Sequence, residues 1–132
     1  MTDIDAVLGQ NLEFYRAFST RNMGSMERLW ARLAPVSCVH PGWPLITGRE
    51  EVLRSWRAIL RNPLAPAVLC YDERATLYGE AALVTCEEEL ETGTLAAANL
   101  FSREGGLWRL VHHQATPVQD RRTPARPARR PE

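Results

Sequence analysis

The sequence contains no lysine, because all sixteen of its basic residues are arginine. Sixteen acidic residues balance them, so the formal net charge at pH 7 is zero. A protein that binds nucleic acid generally shows a basic excess, and none is present. No apolar run approaches the ~18 residues of a membrane span, and the N-terminus lacks a signal-peptide pattern. We therefore expect a cytoplasmic protein that binds neither nucleic acid nor a membrane.

Cysteine is scarce, with only Cys38, Cys70 and Cys86 in the chain. They are widely spaced, they lie in apolar surroundings, and their spacing matches no metal-binding motif. We expect reduced core cysteines, as is usual in the cytoplasm. The chain also lacks a glycine-rich phosphate loop and a nucleophile elbow. No cofactor and no metal ion is therefore expected.

The domain organisation follows from length and local composition. A chain of 132 residues supports one domain, which we place at residues 1–119. Residues 120–132 contain five arginines and three prolines but no large apolar side chain. Such a segment cannot form a packed element, so we predict a disordered Arg/Pro-rich tail. The alternative is an arm that binds an anionic partner.

Hydrophobic periodicity predicts three helices followed by a sheet. The first helix covers residues 4–18, with Thr2 or Asp3 as its cap. The second runs from Asn22 through Leu33, and the third covers 49–60. Strands are predicted at 36–40, 68–77, 81–91, 95–103 and 107–117. This order implies an α+β domain in which a curved antiparallel sheet lies over the helices and leaves a cavity between them.

An ordered series of short motifs carries a family resemblance. They are Phe14-Tyr15-x-Ala17-Phe18, Asn22, Met26-x-x-Leu29-Trp30, His40-Pro41 ahead of Gly48, and Gly106-x-Trp108-Arg109-Leu110-Val111-His112-His113. Over residues 4–118 the chain resembles the nuclear-transport-factor-2-like superfamily, and more closely its bacterial SnoaL-like and ketosteroid-isomerase-like members. The resemblance implies a cone-shaped fold with an internal apolar pocket, a small apolar ligand, and a homodimer formed through the outer sheet face. Members include isomerases, cyclases and dehydratases, and others only bind ligands or partners.

The resemblance to ketosteroid isomerases also implies roles for single residues. His40, before Pro41, occupies the position of their general base, an Asp before a Pro. Asn99 occupies the position of their acidic oxyanion donor. Phe14 occupies the position of their tyrosine donor, with Tyr15 one residue away, so the tyrosine donor is expected to be lost.

Strand alternation adds further candidates to this site. A two-residue turn at Thr92-Gly93 would pair Leu90 with Leu95 and Cys86 with Asn99, which places Glu88 on the inner face. By analogy with the family, Val111 and His113 face inward on the last strand. The candidate catalytic residues are His40, Asn99, Glu88 and His113. The candidate ligand-binding wall consists of Phe14, Tyr15, Trp30, Trp43, Trp56, Cys86 and Val111.

These side chains predict proton transfer on a small apolar carbonyl compound without a cofactor. His40 would act as general base, Asn99 would stabilise the oxyanion, and Glu88 or His113 would tune His40. In the alternative interpretation, His40 is structural, Glu88 and His113 form a buried pair that fixes the core, and the tryptophans are core residues. A metal site built from two histidines and a carboxylate is conceivable, but no local spacing supports it. A non-catalytic ligand-binding or dimerisation module is the alternative function.

Overall fold

The computed structural model describes residues 1–119, and the predicted tail at 120–132 lies outside the described residues. The helices are α1 (Asp3–Ser19), α2 (Met23–Leu29) and α3 (Arg49–Arg61). The strands are β1 (Ser37–Val39), β2 (Ile46–Thr47), β3 (Leu69–Tyr78), β4 (Ala81–Leu90), β5 (Gly93–Glu104) and β6 (Leu107–Pro117).

The helices begin at the residues that the capping signals indicate. Thr2 caps α1 in a capping box with Asp5, since each side chain accepts a hydrogen bond from the other residue's backbone N–H. Asn22 caps α2 by accepting from the Ser25 N–H. Gly48 precedes α3 with a φ of 93°, a conformation that favours glycine. Strand β2 therefore leads through Gly48 directly into α3.

The second helix is shorter than predicted. It ends at Leu29, and Trp30 already forms a parallel bridge with Leu110 of β6. The Glu104 carboxylate then accepts hydrogen bonds from the backbone N–H groups of the three residues 32–34. These bonds hold the chain in an extended turn, and Leu33 is left 86% exposed. The long-range contact with Glu104 thus overrides the local helical pattern.

The six strands form one curled sheet in the order β2-β1-β6-β5-β4-β3. All neighbouring strands are antiparallel except β1 and β6, which are parallel. The predicted α+β class, with three helices packed on a strongly curved and mostly antiparallel sheet, is confirmed. The two-residue strand β2 lies within a segment that the sequence predicted as a turn. Among residues 1–119, no helix is long and apolar enough to cross a membrane.

The hairpin between β4 and β5 has a different register from the predicted one. Leu90 pairs with Gly93, and Asn99 pairs with Val84 rather than with Cys86. The shift is two residues along the partner strand, so every side chain stays on its predicted face. Glu88 and Asn99 therefore both point inward, as expected.

A β-bulge in β6 explains why the alternation in its sequence places apolar residues on both faces of the strand. Leu100 pairs with His112 and Phe101 pairs with Leu110, which leaves Val111 as the extra residue on β6. Because of this bulge, Leu110 and His113 are both buried, although their spacing would put them on opposite faces. Val111 is only half-buried.

Candidate functional site

His40 follows β1 directly, and its side chain is only 3% exposed. The turn after it consists of five consecutive exposed residues, 41–45. The ring of Trp43 from this turn lies edge-on to the His40 ring, with 4.8 Å between centroids. Trp56 of α3 contacts the His40 ring at the same centroid distance. His40 is therefore enclosed by two indole rings, and Trp43, which is 44% exposed, separates it from solvent.

A serine that the sequence analysis did not single out fixes the protonation of His40. The Ser55 hydroxyl donates its proton to the Val52 carbonyl one turn earlier in α3 (2.7 Å), so its oxygen is left to accept. His40 Nε2 lies 2.9 Å from this oxygen and therefore donates to it. The neutral ring then carries its proton on Nε2 and its basic lone pair on Nδ1.

Burial sets the charge of this histidine. Desolvation lowers the pKa of His40 to about 4, so the ring is neutral at pH 7. The Cys38 thiol is the other polar group near the ring, with Sγ 3.9 Å from Nδ1. Among the described residues, neither Glu88 nor His113 forms a direct hydrogen bond with His40, whereas Ser55 does.

Asn99 forms the centre of a second, fully buried polar network. Its amide nitrogen donates to Asn11 Oδ1 (2.8 Å) and to the Tyr15 hydroxyl (3.1 Å). Its carbonyl oxygen accepts from His113 Nδ1 at 2.6 Å. Both amide protons of Asn99 are thus in use, and no donor remains for a substrate oxyanion.

Tyr15 links this network to Glu88. Its hydroxyl donates to Glu88 Oε2 at 2.6 Å and lies 3.4 Å from Cys86 Sγ. The sequence predicted Tyr15 as a wall residue and the loss of the tyrosine donor. The structure places the Tyr15 hydroxyl among the buried polar groups, where its proton is used by Glu88. Phe14, one residue earlier in α1, packs against the rings of Trp56 and His113.

The pKa values of the two buried titratable groups of this network, Glu88 and His113, are shifted in opposite directions. Desolvation raises the pKa of Glu88 despite the hydrogen bond from Tyr15. Desolvation, together with the nearby His40, lowers the pKa of His113 to about 3. His113 Nε2 lies 3.9 Å from Glu88 Oε2, which exceeds hydrogen-bond distance. The neutral His113 ring therefore faces both Glu88 and the His40 ring, whose centroid is 6.4 Å away.

The structure thus brings His40, His113, Asn99 and Glu88 into one buried region, but in two separate hydrogen-bonded groups. Phe14, Tyr15, Trp43 and Trp56 contact these groups directly, and Cys86 contacts Tyr15. Trp30 is fully buried in the core. Asn11 and Ser55 were missed, although each is a polar residue on the apolar stripe of its helix, at three- or four-residue spacing from buried neighbours. That position is the signal that could have found them.

Some buried donors in this region have no partner. Trp56 Nε1 and Asn11 Nδ2 are buried without a hydrogen bond within the described chain. Trp56 Nε1 lies beside Cys38, next to the His40 ring. Within residues 1–119, no group of three or more His, Cys, Asp or Glu side chains is placed to hold a metal ion. The arrangement is a neutral base and an unused donor among aromatic rings.

Comparison with known proteins identifies the family. A sequence model of the SnoaL-like domain matches residues 7–119. The chain belongs to the SnoaL-like domain family. The predicted resemblance to the nuclear-transport-factor-2-like superfamily is thereby confirmed.

Two solved structures resemble this SnoaL-like domain closely in fold. One, from Streptomyces avermitilis, is named a putative dehydratase of the nuclear-transport-factor-2-like family. It is 34% identical, has a TM-score of 0.80, and the match covers 89% of this chain and 96% of that one. The other, from Thiobacillus denitrificans, is named a putative calcium/calmodulin-dependent protein kinase type II association domain. It is 26% identical, has a TM-score of 0.75, and the match covers 83% and 93% of the two chains.

A curated relative is the F-box protein SKIP8 of Arabidopsis thaliana, which is 27% identical over 113 residues. The match covers 84% of this chain and 49% of the relative. The SnoaL-like domain thus spans about half the length of that protein.

Proposed function

We propose that this SnoaL-like domain is a cofactor-independent enzyme that transfers a proton on a small, largely apolar carbonyl compound, with His40 as general base. The observation that carries the proposal is the hydrogen-bond chain from the Val52 carbonyl through Ser55 to His40. It fixes the imidazole in one neutral tautomer with its basic lone pair on Nδ1, where the weak thiol donor of Cys38 is the polar group in contact. A general base must be deprotonated at the nitrogen that accepts the substrate proton, and this tautomer meets that condition at Nδ1.

The surroundings of His40 support an apolar substrate. Trp43 and Trp56 flank the base, and the Phe14 ring lies beyond Trp56. A weak base is adequate in such a site, because carboxylates of comparable strength remove protons beside carbonyls when a donor stabilises the enolate. The unpartnered Trp56 Nε1–H is the donor that we assign to the developing oxyanion in place of Asn99. Asn99, Tyr15 and Glu88 then act as positioning residues that hold His113 against the site.

The relative named a dehydratase supports the same reaction class. Dehydration of a β-hydroxycarbonyl compound begins with removal of the proton beside the carbonyl, as do double-bond isomerisation and related cyclisations. A substrate reaches His40 only when the Trp43 ring moves aside, because the Trp43 ring packs against the buried His40 ring. We therefore assign the turn 41–45 to substrate entry.

The first test needs no knowledge of the natural substrate. Apolar cyclic and aryl ketones are incubated with the protein in D₂O, and deuterium incorporation beside the carbonyl is followed by NMR. The expected result is exchange that falls ~10²–10⁴-fold in His40→Gln, the usual loss when a general base is removed. His112→Gln is the matched control, because the His112 side chain bonds Ser37 and Gln114 rather than the groups around His40. Equal exchange in the wild type and in His40→Gln would refute His40 as the base.

A second candidate function is a non-catalytic association or ligand-binding module. The observation that favours it is the dense packing of the interior, in which Phe14, Trp30 and Trp56 are all fully buried. Quenching of tryptophan fluorescence by ketones without any deuterium exchange would favour ligand binding. A stable homodimer that neither binds nor exchanges these ketones would favour the association module.

A further inference from the structure

Two of the three thiols lie together at the junction of β3 and β4. Cys70 of β3 pairs with Glu88, and Cys86 precedes Glu88 by two residues on β4. Residues two apart on a strand share a face, so the two thiols are diagonal neighbours across the ladder. The two thiols are close enough to shift each other's pKa, and Cys86 also contacts the Tyr15 hydroxyl. The sequence predicted three core cysteines, whereas Cys70 is only half-buried.

A surface cavity of about 280 Å³ is lined by Cys70 and Tyr15, the two groups beside Cys86. Cys86 itself is 6% exposed, so the cavity reaches the pair through Cys70. Cys38 is different, because it is fully buried and desolvation raises the pKa of its thiol to about 12. The chain therefore contains one thiol pair beside a surface cavity and one fully buried thiol that serves as an internal control.

We propose that Cys70 and Cys86 are a peroxide-sensitive pair that closes reversibly to an intramolecular disulfide. The neighbouring Cys70 thiol lowers the pKa of the Cys86 thiol, which favours Cys86 as the attacking sulfur. Its thiolate attacks one oxygen of hydrogen peroxide, the O–O bond breaks, and the departing hydroxide takes up a proton to become water. The Cys70 sulfur then attacks the resulting sulfenic acid, the S–O bond breaks, and a second water leaves. Overall the two thiols lose two electrons and the peroxide is reduced to two waters.

The backbone around Cys70 explains why this bond would be reversible rather than structural. Diagonal neighbours in an antiparallel ladder are ~7–8 Å apart, beyond the usual ~4.4–6.8 Å between the Cα atoms of a disulfide. Closure therefore requires β3 to shift. It is an edge strand with a bulge between Tyr71 and Arg74, and Asp72 in that bulge has a φ of 62°. A disulfide closed under strain is readily reduced.

Formation of the Cys70–Cys86 disulfide would also change the buried polar network around Tyr15. Cys86 would move away from the Tyr15 hydroxyl, which bonds Glu88 and Asn99 at the same time. Oxidation at the sheet edge would thus alter the hydrogen bonds that hold His113. This effect does not depend on the reaction proposed for His40.

The test is intact mass and peptide mapping of the folded wild-type chain after treatment with hydrogen peroxide. The expected product has lost about 2 Da, carries a Cys70–Cys86 link with Cys38 still reduced, and returns to the thiol form with dithiothreitol. Cys38→Ser should form the same link. Cys70→Ser should stop at a sulfenic acid on Cys86 that dimedone traps, at least about tenfold faster than dimedone traps Cys70 in Cys86→Ser.

Several outcomes would overturn the proposal. They are three free thiols after treatment, a link that includes Cys38, a disulfide between two chains, or equal trapping of Cys70 and Cys86 in the two serine variants. The wild-type map decides the question even if a serine variant unfolds, and circular dichroism of each variant identifies that case. Mapping of urea-unfolded chain, in which any pair can link, shows that selectivity for Cys70 and Cys86 comes from the fold.

Discussion

Replacement of His40 by glutamine should change how the stability of the protein depends on pH. In the folded chain the pKa of His40 is about 4, whereas in the unfolded chain it returns to ~6.5. Between these values the unfolded state binds one proton more than the folded state. The free energy of unfolding therefore falls as the pH falls, by ~1.4 kcal/mol per pH unit for this one group.

The expected magnitude follows from these two pKa values. Above pH ~6.5 the ring is neutral in both states and contributes no pH dependence. From pH 7 to pH 5, the wild type should lose about 2 kcal/mol through His40 alone. His113, whose pKa is lowered, and Glu88, whose pKa is raised, act with opposite sign on the same slope. Both remain in His40→Gln, so their contributions largely cancel in the difference between the two proteins, apart from the part of the His113 shift that His40 itself causes.

Urea unfolding monitored by tryptophan fluorescence at pH 5, 6 and 7 measures this difference. The free energy of unfolding of the wild type minus that of His40→Gln should fall by about 2 kcal/mol from pH 7 to pH 5. The slope of the unfolding free energy against urea concentration should not change. Glutamine can still donate to Ser55, so most of the remaining difference at pH 7 reports packing against the two indoles. Parallel pH curves for the two proteins would refute the reasoning, because they would mean that His40 titrates alike in the folded and unfolded chains.

The remaining predictions concern the network, the outer sheet face and the loop after α2. Tyr15→Phe should cost about 2–4 kcal/mol, because it removes the hydrogen bond that Glu88 accepts and leaves one buried amide proton of Asn99 unpaired, whereas Tyr78→Phe at an exposed ring should cost under ~0.5 kcal/mol. Equal effects in urea unfolding would contradict the assigned network. We expect a homodimer through the outer face in sedimentation equilibrium, and Leu100→Arg on that face should yield monomers; a monomeric wild type would refute this. Glu104→Gln should speed hydrogen exchange at the amides of residues 32–34, and unchanged protection would show that the carboxylate does not hold them.

The sequence predicts most of the fold because local signals and tertiary packing agree there. The apolar stripe of α1 and the caps at Thr2 and Asn22 fix the helices without distant contacts. The end of α2 was wrong because Glu104, more than seventy residues away, binds the amides that would otherwise continue the helix.

The site was predictable at the level of strand faces but not of hydrogen bonds. Parity placed Glu88 and Asn99 inward even with the hairpin shifted by two residues. The alternation of side chains along a strand does not determine where an amide proton points. The hydrogen bonds of the two Asn99 amide protons to Asn11 and Tyr15 could therefore not be predicted. The partnership of His40 with Ser55 depends on how α3 packs against β1, and no local spacing encodes that contact.

The parallel pairing of β1 with β6 has a consequence for how the chain folds. His40 follows β1 directly, and β1 pairs only with the short β2 and with residues 112–114 of the last strand. The ladder that anchors the base therefore closes over some seventy-five residues, which must all be synthesised before it can form. Long-range pairings of this kind slow folding, because the entropy of loop closure is lost before the contacts form. During translation the β3–β6 meander should assemble first, and the rim that carries His40 should be the last part of the sheet to acquire protection.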